Sequence, residues 1–221
     1  DDPAALTVEA IHPCALKAKA AKSDADNPTW SQAMNSPDAD KWFEAMEEEL
    51  TTLERDLAAW DLVPREPWMH VLPSTWAFRI KRFPNGLVKK FKARFFVRGD
   101  CQKEGIDFWE TWSPVVQWST VRLMMTLAAK LDLCSAQADI TAAFVHADLE
   151  PGEKIFVRQP AGFQRDGDLV LSLKRAVYGL RQAPRSFFRY LWRSLTSHGL
   201  VQSDLDPCLF IGKHVIVVVY I

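Results

Sequence analysis

The sequence predicts an α+β fold with a mainly antiparallel sheet, and three observations predict it. Residues Thr75 to Val97 alternate apolar and polar side chains about a Pro84-Asn85-Gly86 turn, the pattern of a β-hairpin. Apolar residues from Trp42 to Trp60 recur at steps of three and four, the pattern of an amphipathic helix. Short apolar runs and helical stretches then intermix to the end of the 221 residues.

Residues 1–27 are rich in Ala, Lys and Asp and poor in aromatics, so a weakly ordered lead-in is expected. Ser36-Pro37 opens the first helix, with Ser36 as N-cap and Pro37 in the first turn. Its apolar stripe is Trp42, Met46, Leu50, Leu53, Leu57 and Trp60, and the acids between Asp38 and Asp56 read most simply as its solvated face. In the hairpin, Trp76, Phe78 and Ile80 alternate on one strand and Leu87 to Val97 returns. Arg79, Lys81 and Lys89, with Arg94 and Arg98, line one surface of this ribbon, either as phosphate ligands or as protection of an exposed strand edge. Ser119-Thr120 caps a second helix carrying Val121, Met124, Leu127, Ala128 and Leu131. A strand is expected at about Cys134 to Ile140, then a helical turn around Phe144. Strands near Ile155 to Arg158 and Leu169 to Leu173 precede a helix of about Arg185 to His198, started by Pro184. Cys208 to Ile211 and His214 to Ile221 form a final hairpin joined by Gly212-Lys213.

With 48% hydrophobic and 25% charged residues, the composition is that of an ordinary globular chain, and nine Trp with 13 Phe imply a large aromatic core. The net charge of −1 excludes a general polycation, yet the stretch from Arg79 to Lys103 carries many basic residues and one acid, Asp100. Such a local patch binds phosphates even when the total charge is neutral. Cys14, Cys101, Cys134 and Cys208 make no CxxC pair and read as reduced thiols of an intracellular protein. No signal peptide is visible, and Val215 to Ile221 is too short to span a bilayer, so no membrane partner is expected. The opening Asp1-Asp2-Pro3 reads as the start of an internal fragment.

One carboxylate stands out. Asp139 ends the apolar stretch and is followed by Ile140-Thr141-Ala142-Ala143-Phe144. An acid beside small residues suits a Mg²⁺ site that keeps substrate phosphates in its shell. On these residues alone, a cap of the next helical turn is the favoured reading.

Several motifs, in order, resemble the copia-type reverse transcriptases of long-terminal-repeat retrotransposons over roughly residues 28–221. Trp42 to Leu50 looks like the family's opening helix, and Lys92-Ala93-Arg94-Phe95-Phe96-Val97-Arg98-Gly99 resembles its KARLVAKG element. Gly105 to Val116 resembles GIDYxETFSPVV, with Val121-Arg122 following as expected. Ala138-Asp139-Ile140-Thr141-Ala142-Ala143-Phe144-Val145-His146 resembles the catalytic DVxxAFLxG. Gln159 to Phe163 resembles QPxGF, Val177 to Arg185 resembles LYGLKQSPR, and Ser203 to Phe210 resembles SxxDPCLF.

The resemblance implies part of a right-hand polymerase, with fingers over about residues 28–133 and palm over about 134–221. The implied reaction is template-directed DNA synthesis on an RNA or DNA template with a primer, from deoxynucleoside triphosphates, with Mg²⁺ or Mn²⁺. It implies Asp139 as a metal-binding carboxylate, with the Ile140 carbonyl as a second ligand. Phe144 matches the aromatic steric gate that rejects a 2′-hydroxyl, although core packing explains a lone Phe as well. Arg94, with Lys92 and Lys81, is a candidate for the triphosphate, and Gly179, Gln182 and Pro184 match the loop and helix start that hold the nucleotide. The implied partner is the rest of a retrotransposon polyprotein, and the implied location a cytoplasmic virus-like particle.

The match has departures. Ala147 stands where the family has Gly, which puts that turn in doubt, and Trp112 replaces Phe. Tyr220-Ile221 matches the first half of a Tyr-Val-Asp-Asp motif. The expectation is therefore a truncated palm, no thumb, and no polymerase activity in the 221 residues alone. The alternative expectation is a non-catalytic nucleic-acid-binding remnant.

Overall fold

The computed structural model describes residues 26–221. Cys14 and all but the last two residues of the expected lead-in lie outside the described residues. In chain order the elements are helices α1 (Trp30–Met34) and α2 (Ala39–Thr51), strands β1 (Trp60–Pro64), β2 (Val71–Leu72), β3 (Ser74–Arg82) and β4 (Val88–Val97), helix α3 (Trp118–Leu131), strands β5 (Phe156–Arg158) and β6 (Leu169–Leu173), helix α4 (Ala183–Ser197), and strands β7 (Val201–Gln202), β8 (Leu209–Ile211) and β9 (Ile216–Val218). Among the described residues they make a mixed α+β structure in two compact units: residues 26–46 with Ala77–Ala93, and Glu47–Trp76 with Arg94–Ile221.

In the first unit, α1 starts where Thr29 and Gln32 form a reciprocal capping box, a helix start that sequence reasoning missed. Helix α2 starts at Ala39, not beside Ser36. The Ser36 hydroxyl accepts the Asp38 amide at 3.3 Å inside the connecting turn, so it closes that turn and does not cap the helix. Trp42 is buried between Phe91, met edge-on at 4.7 Å, and Phe78 at 5.1 Å. Glu44 is exposed, as are Glu47 and Glu48 where α2 continues into the second unit, as a solvated helix face requires. Strands β3 and β4 pair as the expected hairpin. At its tip Phe83 donates to the Leu87 carbonyl at 2.9 Å and Asn85 accepts the Leu87 amide at 3.1 Å. Arg82 pairs with Asp26 at 2.7 Å, and that hydrogen-bonded guanidinium holds the Asp26 carboxyl below its usual range.

In the second unit, the helical stripe does not reach Trp60. A π-turn (Thr52–Asp56) ends the helix, with the Leu57 amide reaching back to the Thr52 carbonyl. Ala58 then takes a left-handed conformation at φ +45°, and Trp60 opens β1. That strand joins a four-stranded sheet in the order β1-β6-β5-β2. The β1–β6 and β5–β6 pairs are antiparallel, in registers Trp60↔Leu173 and Phe156↔Ser172, and β2–β5 is parallel. Sequence reasoning missed β1, β2 and β7. Each is short, and two-residue strands leave no periodicity to read. A second sheet, β7-β8-β9, is antiparallel, and its Phe210 and Cys208 are buried with Val116, Leu200 and Val219. Residues of α3 and α4, among them Val121, Phe188 and Leu191, pack on this cluster.

Two expectations are corrected here. No strand forms over residues 134–140, which are exposed throughout. A strand exists through its ladder partner, and no described residue pairs with this segment, whatever its apolar content. Nor do Ser119-Thr120 cap α3: the helix begins at Trp118 with Gln117 as N-cap, and the Gln117 amide donates to Asp206. No residue of α3 is fully buried. Cys101, Cys134 and Cys208 are free thiols, and among the described residues no helix is long and apolar enough to cross a membrane.

Candidate active site

The predicted site residues that come together do so around Tyr178. Beyond β4 the chain turns so closely past the Tyr178-Gly179 loop that two glycines are required there. The Val97 amide donates to the Tyr178 carbonyl at 2.9 Å. Gly179 has φ +95°, and a Cβ on it would collide with the Val97 carbonyl; a Cβ on Gly99 would collide with the Gly179 carbonyl. This contact fixes the Tyr178 ring against Phe96 (5.8 Å), Phe144 (5.4 Å) and the Arg94 guanidinium (5.2 Å).

Phe144 rides on a 3₁₀ turn (Ala143–His146) entered through Ala142 at φ +52°, an uncommon conformation for a residue with a Cβ. The turn is held by the Val145 amide on the Ala142 carbonyl and by His146 Nε2 at 3.1 Å from the Thr141 carbonyl. Arg175, paired with Asp148 at 2.7 Å, also donates to the His146 carbonyl. Phe187 of α4 meets the Phe144 ring at 6.0 Å. Ala147 sits at φ −91°, ψ 134°, an ordinary extended conformation, so its replacement of glycine leaves the turn undisturbed.

Burial pushes the Tyr178 phenol above its usual value, the Arg94 guanidinium opposes that rise, and the Glu49 and Asp139 carboxylates add to it. Asp139 and Ile140 are both exposed, on the segment that forms no strand. The sequence assigns Tyr178 no role beyond its place in the LYGLKQSPR-like motif; an aromatic directly before an obligatory glycine is the signal that marks it.

Gln182 was expected to contact a nucleotide, and here its side chain is otherwise engaged. It is 0% exposed; its amide nitrogen donates to the Asp107 carbonyl at 2.9 Å and its oxygen accepts from Gln102 at 3.0 Å. Gln102 in turn accepts the Arg181 amide, and the buried Asp107 carboxylate takes the Lys103 amide and His70 Nδ1 at 2.7 and 2.8 Å. Gln182 thus positions the loop. Pro184 is half-buried at the start of α4, its carbonyl accepting the Ser113 hydroxyl, and Gly179 is exposed. Lys81 and Lys92 belong to the other unit, on β3 and β4, Lys81 exposed and Lys92 half-buried.

Asp139 and the adjacent Ile140 carbonyl are oxygen donors of the kind Mg²⁺ takes. Among the described residues no three His, Cys, Asp or Glu side chains gather into a group able to hold a metal ion. These residues fit part of a coordination shell.

The family described as reverse transcriptase (RNA-dependent DNA polymerase) matches residues 57–221. The chain is 33% identical over 192 residues to the retrovirus-related Pol polyprotein from transposon TNT 1-94 of Nicotiana tabacum, covering 86% of this chain and 14% of that protein. It is 32% identical over 194 residues to the corresponding polyprotein from transposon RE2 of Arabidopsis thaliana, covering 86% of the chain and 13% of the relative. A Ty1-H Gag-Pol polyprotein of Saccharomyces cerevisiae is 29% identical over 136 residues, 59% of the chain and 7% of that protein. The chain thus spans about a seventh of the length of the plant relatives. No solved structure matches it. With the motifs, the matched span and the plant transposon relatives in agreement, the chain belongs to the reverse transcriptase family of copia-type retrotransposon Pol polyproteins.

Proposed function

We propose that the chain forms fingers and palm segments of an RNA-directed DNA polymerase, with Asp139, Phe144, Arg94 and Tyr178 at the nucleotide site. The observation that carries this reading is the convergence on Tyr178 of the Arg94 guanidinium and the Phe144 ring, from separate motifs, with Asp139 five residues before Phe144 in the chain. Arg94 presents a planar cation suited to a triphosphate. Phe144 offers a ring on which a deoxyribose rests and a ribose does not. A Mg²⁺ or Mn²⁺ ion at Asp139 and the Ile140 carbonyl would neutralise phosphate charge as the bond to phosphorus changes hands. A template annealed to a primer and deoxynucleoside triphosphates are the proposed partners. The remainder of a polyprotein is another, supported by the unburied α3 with Trp118, Leu123, Met125 and Leu131 exposed. A cytoplasmic virus-like particle is the proposed setting.

Among the described residues Asp139 belongs to no group of three or more His, Cys, Asp or Glu side chains able to hold a metal ion, and the proposal is that a polypeptide of these 221 residues binds and does not polymerise. A non-catalytic nucleic-acid-binding role rests on that same observation. The test measures retention of a primer–template with the complementary deoxynucleotide, with and without Mg²⁺. The reading expects a Mg²⁺-dependent gain that Asp139→Ala abolishes. A gain unchanged in Asp139→Ala, or its absence in the parent chain, overturns it.

A further inference from the structure

Asp107 is 1% exposed, and its carboxylate draws donors from two parts of the chain. The His70 Nδ1 lies 2.8 Å from one oxygen and 3.0 Å from the other, and the Lys103 amide donates at 2.7 Å. An imidazole nitrogen that faces two carboxylate oxygens carries its proton there, so Nδ1 is the donor. The Asp107 amide returns to the Lys103 carbonyl at 2.9 Å, which closes the turn on this one residue. A buried carboxylate is costly unless donors surround it, and His70 supplies the side-chain donor. His70 is itself held: its neighbour Val71 pairs with Phe156 in the four-stranded sheet, and just beyond, the Pro73 carbonyl accepts the Arg98 amide.

From Asp107 a line of hydrogen bonds runs on to the loop over Gly179 to Pro184. The Asp107 carbonyl accepts the Gln182 side chain at 2.9 Å, and Gln182 accepts Gln102 at 3.0 Å. Gln102 accepts the Arg181 amide at 2.8 Å, and the Arg181 Nε donates to the Gly99 carbonyl at 2.8 Å. The Glu153 carboxylate takes a further hydrogen bond from Gln182, so each polar atom of that side chain has a partner. Gln102, Asp107 and Gln182 are all buried. Water does not replace a lost partner there, so each bond constrains the next.

We infer that His70 is a positioning residue for the loop over Gly179 to Pro184: through Asp107 it sets the Gln182 side chain, and through Gln182 the loop. The inference deepens the polymerase reading and rests on it for what the loop holds. The coupling of His70 to the loop has a readout of its own, without nucleotide or metal ion.

The test compares His70→Ala, His70→Asn and His70→Gln in the full chain. The amide nitrogen of Asn stands close to the place of Nδ1, and that of Gln close to the place of Nε2, so Asn alone keeps the donor to Asp107. Amide hydrogen exchange is read first, without nucleotide. Exchange at Arg181 should quicken about tenfold or more in Ala and Gln, the worth of one hydrogen bond to a buried charge, and return in Asn. Exchange at Phe210, in β8, should not change. Affinity for the complementary deoxynucleotide in the Mg²⁺-dependent complex should fall and recover in the same order, while primer–template retention without nucleotide stays constant. Adding His70→Ala to Gln182→Ala should weaken nucleotide affinity no further, because both act through one side chain. Arg181 exchange unaltered in His70→Ala overturns the inference. So does recovery in Gln equal to that in Asn, which would leave only side-chain bulk at work, and so does quickened exchange at Phe210, which would mark a general loss of fold. Nucleotide affinity unchanged while Arg181 exchange quickens also overturns the positioning role. Asp139-dependent Mg²⁺ retention on the same samples separates the two failures. If it persists while Arg181 exchange ignores His70, the positioning role alone falls. If exchange follows His70 as expected while Asp139→Ala changes nothing, the coupling stands and the polymerase reading falls.

Discussion

The Arg94 guanidinium lies 5.2 Å from the centre of the Tyr178 ring, so one side chain of the KARLVAKG-like element is held by an aromatic of the LYGLKQSPR-like element some eighty residues later. That contact orients a planar cation at low entropic cost. Arg94→Ala should lower stability only slightly, by about 0.5–1 kcal/mol for an exposed cation–π pair. It should weaken deoxynucleotide retention about tenfold or more, as loss of a charge-assisted phosphate contact does. Arg94→Lys keeps the charge but neither the planar fork nor the stacking, and should recover less than half of that loss in binding free energy. Filter retention with chemical denaturation separates the two effects; full recovery by Lys would mean that only net charge matters.

Gly179 and Gly86 share a left-handed φ, at +95° and +84°, but only Gly179 is crowded. Gly86→Ala should therefore cost about 1–2 kcal/mol, the conformational penalty alone. Gly179→Ala must also push back the Val97 carbonyl and should cost several kcal/mol more, with loss of the Arg94–Tyr178 contact. Urea unfolding of both variants makes the comparison; equal costs would show that the backbone approach at Gly179 yields easily.

What the sequence made legible follows from how local each signal is. The hairpin from β3 to β4 was readable because its alternation and its Asn-Gly turn lie within one continuous stretch. Leu169–Leu173 and the Pro184 helix start were likewise local. Trp60 was misread because it continues the helical spacing, and only the π-turn and the left-handed Ala58 break the helix before it. The strand expected at residues 134–140 failed for the opposite reason: apolar composition cannot supply a ladder partner. At the site, Asp139 and Phe144 came from motif order. The contact of Tyr178 with Arg94 and Phe144 is a tertiary fact that no spacing encodes, and so is the turning inward of Gln182.

Gln182 joins Gln102 and the Asp107 carbonyl in a buried network. Gln182→Ala strands those partners away from water, at about 1–3 kcal/mol for a buried polar group left unsatisfied. Its effect on nucleotide retention should track that loss of stability and recover under stabilising co-solvent. A nucleotide defect without a stability defect would return Gln182 to direct contact.

Asp206 gives the fold a pH dependence with a definite sign. Burial raises its carboxyl, but hydrogen bonds from the Thr120 side chain and from the Cys208 and Gln117 amides outweigh that and hold it below the ordinary value. A carboxyl depressed in the folded state contributes stability that is present above the unfolded-state value of about 3.9 and is lost as pH falls through the folded-state value. Asp206→Asn should cost about 1 kcal/mol at neutral pH, the usual worth of a helix cap, and flatten the acid limb of stability against pH. Parallel acid limbs for the two proteins would show that the charge is not what anchors the start of α3.

Phe144 tests the site most directly, because structural and chemical demands on it diverge. Its ring is half-buried against Tyr178 and Phe187. Phe144→Tyr keeps those contacts and should leave stability within about 0.5 kcal/mol, as for changes that create no cavity. Phe144→Val removes most of the ring and should cost about 1–3 kcal/mol, less than full core truncation because the site is open on one side. If the ring also excludes the 2′-hydroxyl, the preference for a deoxynucleotide over its ribonucleotide should fall about tenfold or more in Val and stay in Tyr. Competition between the two nucleotides for the Mg²⁺-dependent complex reads this without requiring catalysis. A preference that survives in Val while stability falls would assign the ring to packing alone.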